Sequence, residues 1–141
     1  MPLHRPARRG RRRFAALRTN PFDRARCVVA LPSSRAAAGL FAREEIKLEL
    51  VPIPVADVDR AKAFYSEKVG FAIDVDHQPN EDFRIVQLTP PGSACSIAMG
   101  TGLGEMKPGS QEGLQLVVAD INAARAELVV RGVDVSEVQV F

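Results

Sequence analysis

Hydrophobic and polar residues alternate over residues 46–55 in the manner of a β-strand. The two faces of this stretch carry Val51, Ile53 and Val55 on one side, and Leu50, Pro52 and Pro54 on the other. Because proline has no N–H group, two positions on the second face cannot donate to a neighbouring strand. We therefore expect this strand to be fully paired along one edge only.

Helical spacing replaces the alternation after Asp57, a residue type that is favoured at helix N-caps. Apolar residues then recur three or four positions apart: Val58, Ala61, Phe64, Tyr65 and Val69. Gly70 fits the C-terminal stop of that helix. Strand-like stretches follow at residues 71–76, 83–89 and 94–99. The predicted order through residue 108 is therefore β-α-β-β-β.

The chain then repeats the beginning of this unit. Residues 55–63 match residues 118–126 at an offset of 63, and five of the nine positions are identical. Asp120 is placed to cap a second helix, which Gly132 ends. A further strand is predicted over residues 133–138. Such a repeat indicates two copies of one structural unit.

The length of the first unit shows how much of the second is expected. A second copy of equal length would end near residue 172, about 31 residues beyond the last residue of the sequence. The part of the unit that is missing from the second copy would hold its last two strands. We therefore expect an α+β fold with a complete module at residues 46–108 and a partial, truncated β-α-β module at residues 109–141.

Charge separates residues 1–45 from the rest of the chain. They hold 11 arginines and 3 acidic residues, a net charge of +8, whereas residues 46–141 carry a net charge of −6. The arginine-rich composition without a period predicts a disordered arm outside the fold. A nucleic-acid-binding arm, a targeting peptide and a translation start downstream of Met1 remain open alternatives.

The remaining composition points to a cytoplasmic protein. The two cysteines, Cys27 and Cys95, do not make a disulfide framework, so a reducing compartment is expected. No apolar run approaches the roughly 18 residues that a membrane span needs. We expect no membrane partner, and nucleic acid only through the basic arm.

The doubled β-α-β-β-β unit, with VADVDRAKAFY after its first strand and GF after its helix, resembles the vicinal oxygen chelate superfamily. This superfamily includes glyoxalase I, bleomycin-resistance proteins and extradiol dioxygenases. The resemblance implies two modules that curve around a cavity. It also implies a possible homodimer as partner, since modules of this family pair between chains as well.

The resemblance further implies where metal ligands would lie. Metal enzymes of the family carry one ligand on the first strand of each module, seven residues before the helix-opening Asp, and a carboxylate on each last strand. Those first-strand positions are Leu50 and Gly113, and residues 94–99 contain no His, Asp, Glu or Gln. We therefore expect no metal cofactor unless ligands come from outside this chain.

The candidate ligand-binding residues lie on the predicted strands. The polar groups most suited to reach a cavity are Arg84, Gln87, Ser96 and Gln115, and the apolar candidates are Leu50 and Pro52. No pattern in the sequence identifies a catalytic residue. Three functions follow as hypotheses: metal-independent binding of a small organic molecule, a metal-dependent glyoxalase-type lyase or dioxygenase, and an inactive truncated fragment. The first is the prediction that we carry forward.

Overall fold

The structure of the protein is a computed structural model, and it describes residues 13–18, 27–30 and 46–140. The strands of the described residues are β1 (Arg13–Arg18), β2 (Cys27–Ala30), β3 (Leu50–Pro52), β4 (Ala72–His77), β5 (Arg84–Thr89), β6 (Ser96–Thr101), β7 (Leu114–Val117), β8 (Asp134–Val135) and β9 (Gln139–Val140). Their helices are α1 (Val58–Ala63), which continues as a π-helical segment (Phe64–Val69), and α2 (Ile121–Val130). None of these helices has the length and apolar character needed to cross a bilayer.

The first sheet confirms the predicted β-α-β-β-β module. Its strand order is β3-β6-β5-β4, in which β3 pairs parallel with β6 and the other pairs are antiparallel. The first strand is shorter than predicted, since only Leu50–Pro52 is regular. Ile53 still donates its backbone N–H to the Ala98 carbonyl at 2.7 Å, so the ladder ends where Pro54 offers no donor.

Both helices begin at the predicted aspartates. The Asp57 carboxylate accepts from the backbone N–H of Arg60 at 3.0 Å, and the Asp120 carboxylate accepts from that of Asn122 at 2.8 Å. These bonds satisfy donors that the first turn of a helix leaves without partners.

The two helices differ by one residue. Thirteen positions separate the cap Asp57 from Gly70, whereas twelve separate Asp120 from Gly132, so the repeat offset falls from 63 to 62. The π-helical segment lies only in the first helix, and a π-turn is the form in which a helix absorbs one inserted residue. Gly70 closes this helix with φ of 89°, a conformation that favours glycine.

The main core lies between the first sheet and its helix. Its buried members are Ile53, Ala61, Tyr65, Phe71, Val86, Leu88, Ile97 and Met99. Phe64 stands edge-on to Tyr65 with ring centroids 5.2 Å apart, and it also packs against a second cluster formed by Ile121, Val133 and Val135. The two modules are therefore joined through shared apolar contacts.

The second sheet includes part of the predicted arm. Its order is β7-β2-β1-β8, with β9 also paired to β1. The prediction that residues 1–45 stand wholly outside the fold is therefore corrected for residues 13–18 and 27–30. The physical reason is that FAAL and CVVA are short apolar runs, and an exposed sheet edge pairs readily with such segments. The rest of the predicted disordered arm lies outside the described residues.

An ion-pair network ties α1 to the first sheet. The Arg84 guanidinium donates to Asp76 at 3.0 and 3.1 Å and to Asp59 on α1 at 2.8 Å. Lys62, also on α1, donates to Asp76 at 2.6 Å. The hydrogen bonds from Arg84 and then from Lys62 lower the pKa of Asp76 from 3.8 to about 2. Those from Asp76 and Asp59 raise the pKa of Arg84.

We expect Asp76→Asn to lower the free energy of unfolding by about 1 kcal/mol at neutral pH. Since the folded-state pKa lies below the ordinary value of 3.8, this stabilisation is present above pH 3.8 and is lost as the pH falls towards 2. Urea unfolding at a series of pH values should show the two proteins converging below pH 4. Asp82→Asn, which removes a carboxylate with no ion pair among the described residues, should behave like the unaltered protein throughout. A difference that stays constant with pH would contradict the account.

Candidate functional site

Side chains of β5 alternate between the two faces of the first sheet. Val86 and Leu88 are fully buried in the core beneath α1. Gln87 and Thr89 therefore lie on the opposite face, because successive side chains of a strand point to opposite sides. We call this opposite face the distal face of the first sheet.

Four of the predicted ligand-binding residues share the distal face. Leu50 is in register with Ser96 and Pro52 with Ala98 across the parallel pair β3–β6. Gln87 is in register with the same Ala98 across the antiparallel pair. Residues in register on adjacent strands project to the same side of a sheet. The structure thus brings together Leu50, Pro52, Gln87 and Ser96.

A chain of hydrogen bonds runs across the distal face. The Gln87 amide donates to the Ser96 hydroxyl at 3.2 Å, and the Ser96 and Thr89 hydroxyls are 2.6 Å apart. Thr89 in turn donates to the carboxylate of Asp74. Ser96, only 5% exposed, is the buried polar residue at the centre of the chain. Burial without such partners would destabilise the fold by about 1–3 kcal/mol.

The donor and the acceptor in each hydrogen bond of this chain follow from the number of protons that the groups carry. A hydroxyl carries one proton, and a carboxylate only accepts. Thr89 gives its proton to Asp74, so Ser96 must donate to Thr89, and Ser96 must then accept from Gln87. Among the described residues, the side-chain carbonyl oxygen of Gln87 has no hydrogen-bond partner. Gln87 is therefore the end of the chain at which a ligand can be bound.

A β-bulge places Asp74 on the distal face. The register of β4 against β5 shifts between Ile73 and Val75, so β4 carries one residue more than β5 at this point. A bulge re-aims the side chains around it. Asp74 then meets Thr89 on the distal face, while Asp76 meets Arg84 on the helix side. Neither Thr89 nor Asp74 was among the predicted residues. Alternation with Gln87 signals Thr89, but the sequence has no signal for the bulge.

Two predicted residues lie elsewhere. Arg84 is on the helix side of β5, where its guanidinium is held by Asp59 and Asp76. Gln115 is on β7 of the second sheet and lines a cavity of about 440 Å³ between β7, α2 and the turn at residues 90–93. This cavity also carries the ion pair of Glu127 with Arg131. The structure therefore separates Arg84 and Gln115 from the distal face.

A smaller cavity of about 170 Å³ adjoins the distal face. Pro52 and Ala98 belong both to this face and to the cavity lining. Leu103, Met106 and Pro108 of the following connector cover the other side. Small-molecule sites are concave and mostly apolar, with a few polar groups placed for specificity. The hydrogen-bond chain beside this apolar recess has that composition.

The positions that would hold a metal do not fit one. Leu50 and Gly113 offer no side-chain donor, and divalent ions require several N, O or S donors that converge on one point. On β6 the side chains nearest in chemistry are the Ser96 hydroxyl and the core residue Met99. No group of three or more His, Cys, Asp or Glu residues is assembled within residues 46–140. We therefore derive no chemical step through a metal ion in this chain.

The fold and the distal face define a two-sheet α+β protein built from β-α-β-β-β units, and comparisons with known proteins identify its family. The family model described as bleomycin resistance protein-like N-terminal matches residues 50–83. No curated protein sequence matches the chain. The chain belongs to the vicinal oxygen chelate superfamily, the glyoxalase, bleomycin-resistance and dioxygenase group.

Three solved structures support this assignment. TnmS3, an antibiotic binding protein from Streptomyces sp. CB03234, is 37% identical, with a TM-score of 0.55 over 65% of this chain and 74% of its own. A glyoxalase/bleomycin resistance protein from the same organism is 38% identical, with a TM-score of 0.54 over 61% of this chain and 75% of its own. A superfamily member from Sphaerobacter thermophilus is 32% identical, with a TM-score of 0.54 over 62% and 73%.

We expect Thr89→Val to lower the free energy of unfolding by about 1–3 kcal/mol, since the buried Ser96 hydroxyl loses its acceptor while the side-chain shape is kept. Urea unfolding followed by circular dichroism measures this difference. Thr101→Val, at the exposed end of β6, is the matched control and should change stability by less than about 0.5 kcal/mol. Equal effects of the two substitutions would contradict the hydrogen-bond chain.

Proposed function

We propose that this protein binds a small organic molecule of the antibiotic class without a metal ion, on the distal face of its first sheet. The observation that carries the proposal is the hydrogen-bond chain that ends at Gln87 beside an apolar recess. The relative TnmS3, described as an antibiotic binding protein, supports the ligand class. Leu50 and Gly113 at the family's ligand positions support binding without metal.

The chemistry of the face specifies what the ligand offers. Leu50 and Pro52 present exposed apolar surface, so they favour an apolar or aromatic body. The Gln87 carbonyl accepts a hydrogen bond, and the second proton of its amide donates one. The strand partners of Gln87 in register are the uncharged residues Val75 and Ala98. The expected ligand is therefore an uncharged, largely apolar molecule that carries a neighbouring donor and acceptor.

We propose that binding takes place in the cytoplasm, because the two cysteines of the sequence do not make a disulfide framework. We also propose a homodimer, because modules of this superfamily associate between chains as well as within them. The module boundary at residue 108 belongs to the same proposal, since the glycine-rich connector ends there.

The direct test is calorimetric titration of the full chain with a panel of uncharged, largely apolar antibiotics, in the presence of EDTA. We expect at least one compound to bind, and Gln87→Leu to weaken it by about five- to tenfold, since one hydrogen bond contributes about 1 kcal/mol. Gln78→Leu, in the loop after β4, is the matched control and should bind like the unaltered protein.

A metal titration distinguishes the competing hypothesis. Zn²⁺, Ni²⁺ and Fe²⁺ are offered in turn, and native mass spectrometry reports the metal content of each chain. Binding of the antibiotic that is unchanged by these ions is the expected result. One tightly bound ion per chain, together with binding that appears only in its presence, would contradict the proposal and favour a metal-dependent enzyme.

A further inference from the structure

The second sheet repeats the strand order of the first. Where the first sheet runs β3-β6-β5-β4, the second runs β7-β2-β1-β8, and β9 extends the last position. From this correspondence we infer that β1 and β2 supply the third and fourth strands of the second module. That module is then assembled in permuted order, with its last two strands placed before the first module in the chain.

The register of β2 with β7 and β1 supports the correspondence between the two sheets. In the first module, Ile97 of β6 is the partner of Val51 on β3 and of Leu88 on β5. In the second, Cys27 of β2 is the partner of Leu114 on β7 and of Leu17 on β1. Val51 and Leu114 are 63 positions apart, which is the offset of the sequence repeat. The parallel pair and the antiparallel pair therefore meet at equivalent residues in both sheets.

The pairing of β1 with β8 and β9 also matches that of β5 with β4 in the first module. In the first module Leu88 pairs with Ile73, and Ile85 pairs with His77. The two pairs are therefore four residues apart along β4 but only three residues apart along β5. In the second, Leu17 pairs with Val135 and Phe14 with Gln139, which is again four residues against three. Both modules thus carry one extra residue within the same stretch of the strand pair. An unrelated hairpin added to a free edge has no reason to reproduce it.

The chain geometry fits a permutation. The first residue of β1, Arg13, is the direct partner of Val140 on β9. In the first module the strands that correspond to this pair, β4 and β5, are joined by the six residues 78–83. The end of β9 and the start of β1 are therefore adjacent, as in a hairpin whose loop is cut.

Unpaired backbone groups at the edges of β7 and β8 explain why β1 and β2 pair there. Without β1 and β2, the backbone groups of β7 and of β8 would lie on two facing edges with no partner. An unpaired polar backbone group costs free energy when it is buried. The gap is two strands wide, and the partner that fits it is an antiparallel hairpin, parallel to β7 on one side and antiparallel to β8 on the other.

A designed disulfide tests the inference in the full chain, with Cys27 and Cys95 replaced by alanine. Arg18→Cys and Asp134→Cys introduce thiols at directly paired positions of β1 and β8. We expect mild oxidation to join most molecules within one chain, seen as a faster monomer band on a non-reducing gel. Arg18→Cys with Gln115→Cys is the matched control. β2 lies between those positions and they are also out of register by two residues, so their Cα atoms are more than about 10 Å apart, too far for a disulfide.

A circular permutant gives an independent test that keeps every residue. The chain begins at residue 46, runs to 141 and continues directly with residues 1–45. The new loop is longer than the six residues of the first module, but loop-closure entropy rises only slowly with length. We expect hydrogen exchange at Leu114–Val117 to remain as slow as in the unaltered chain.

Any one of four outcomes would overturn the inference. A disulfide that forms only between two chains would mean that the hairpin comes from a second copy. No disulfide at the paired positions, or equal yield at the control positions, would mean that β1 does not lie beside β8. Loss of amide protection along β7 in the permutant would mean that the connection through residues 31–45 is what places the hairpin.

Discussion

The alternation of side chains along β5 is the constraint on which the rest of the first module depends. Val86 and Leu88 have no exposed surface and form the centre of the core beneath α1. Gln87 and Thr89 are consequently directed to the distal face, where they form the hydrogen-bond chain. A shift of one residue in register would exchange the two sets and destroy both features. Core and candidate site therefore depend on the same strand pairing.

The two faces of the first sheet also differ in their charged groups. On the helix side, Asp59 and Asp76 are matched by Arg84 and Lys62, so the network is close to neutral and ties α1 to the sheet. On the distal face, the carboxylate of Asp74 lies at the exposed end of a chain of neutral groups. The bulge in β4 separates the two carboxylates, since it sends Asp74 and Asp76 to opposite sides. Gln87 is therefore connected to the Asp74 carboxylate only through the neutral hydroxyls of Ser96 and Thr89.

Periodicity and residue chemistry predicted much of this structure. The first module and both helix caps at Asp57 and Asp120 follow from short-range patterns. Residue chemistry named Leu50, Pro52, Gln87 and Ser96 as candidates, and it is the pairing of their strands that places them on one face. Arg84 and Gln87 are three positions apart, an odd number, so alternation places their side chains on opposite faces and Arg84 on the helix side.

What the sequence did not predict depends on non-local pairing. Composition alone made residues 1–45 an arm, because nothing local in FAAL or CVVA indicates a strand partner more than 80 residues away. The bulge at Asp74 likewise arises from the match between two strands and not from either one. The repeat did indicate that two strands were needed beside β7, and the structure supplies them from the other end of the chain.

The most direct test of the central claim is an amide NMR spectrum of the isotope-labelled protein, recorded with EDTA and with increasing amounts of an antibiotic that calorimetry identifies. Binding on the distal face predicts the largest shifts at Gln87, Ser96 and Ala98, with smaller shifts at Leu50. Shifts confined to Gln115, Glu127 and Arg131 would place the ligand in the cavity of about 440 Å³ between β7, α2 and the turn at residues 90–93. That result, or shifts that appear only after a divalent metal is added, would contradict the account.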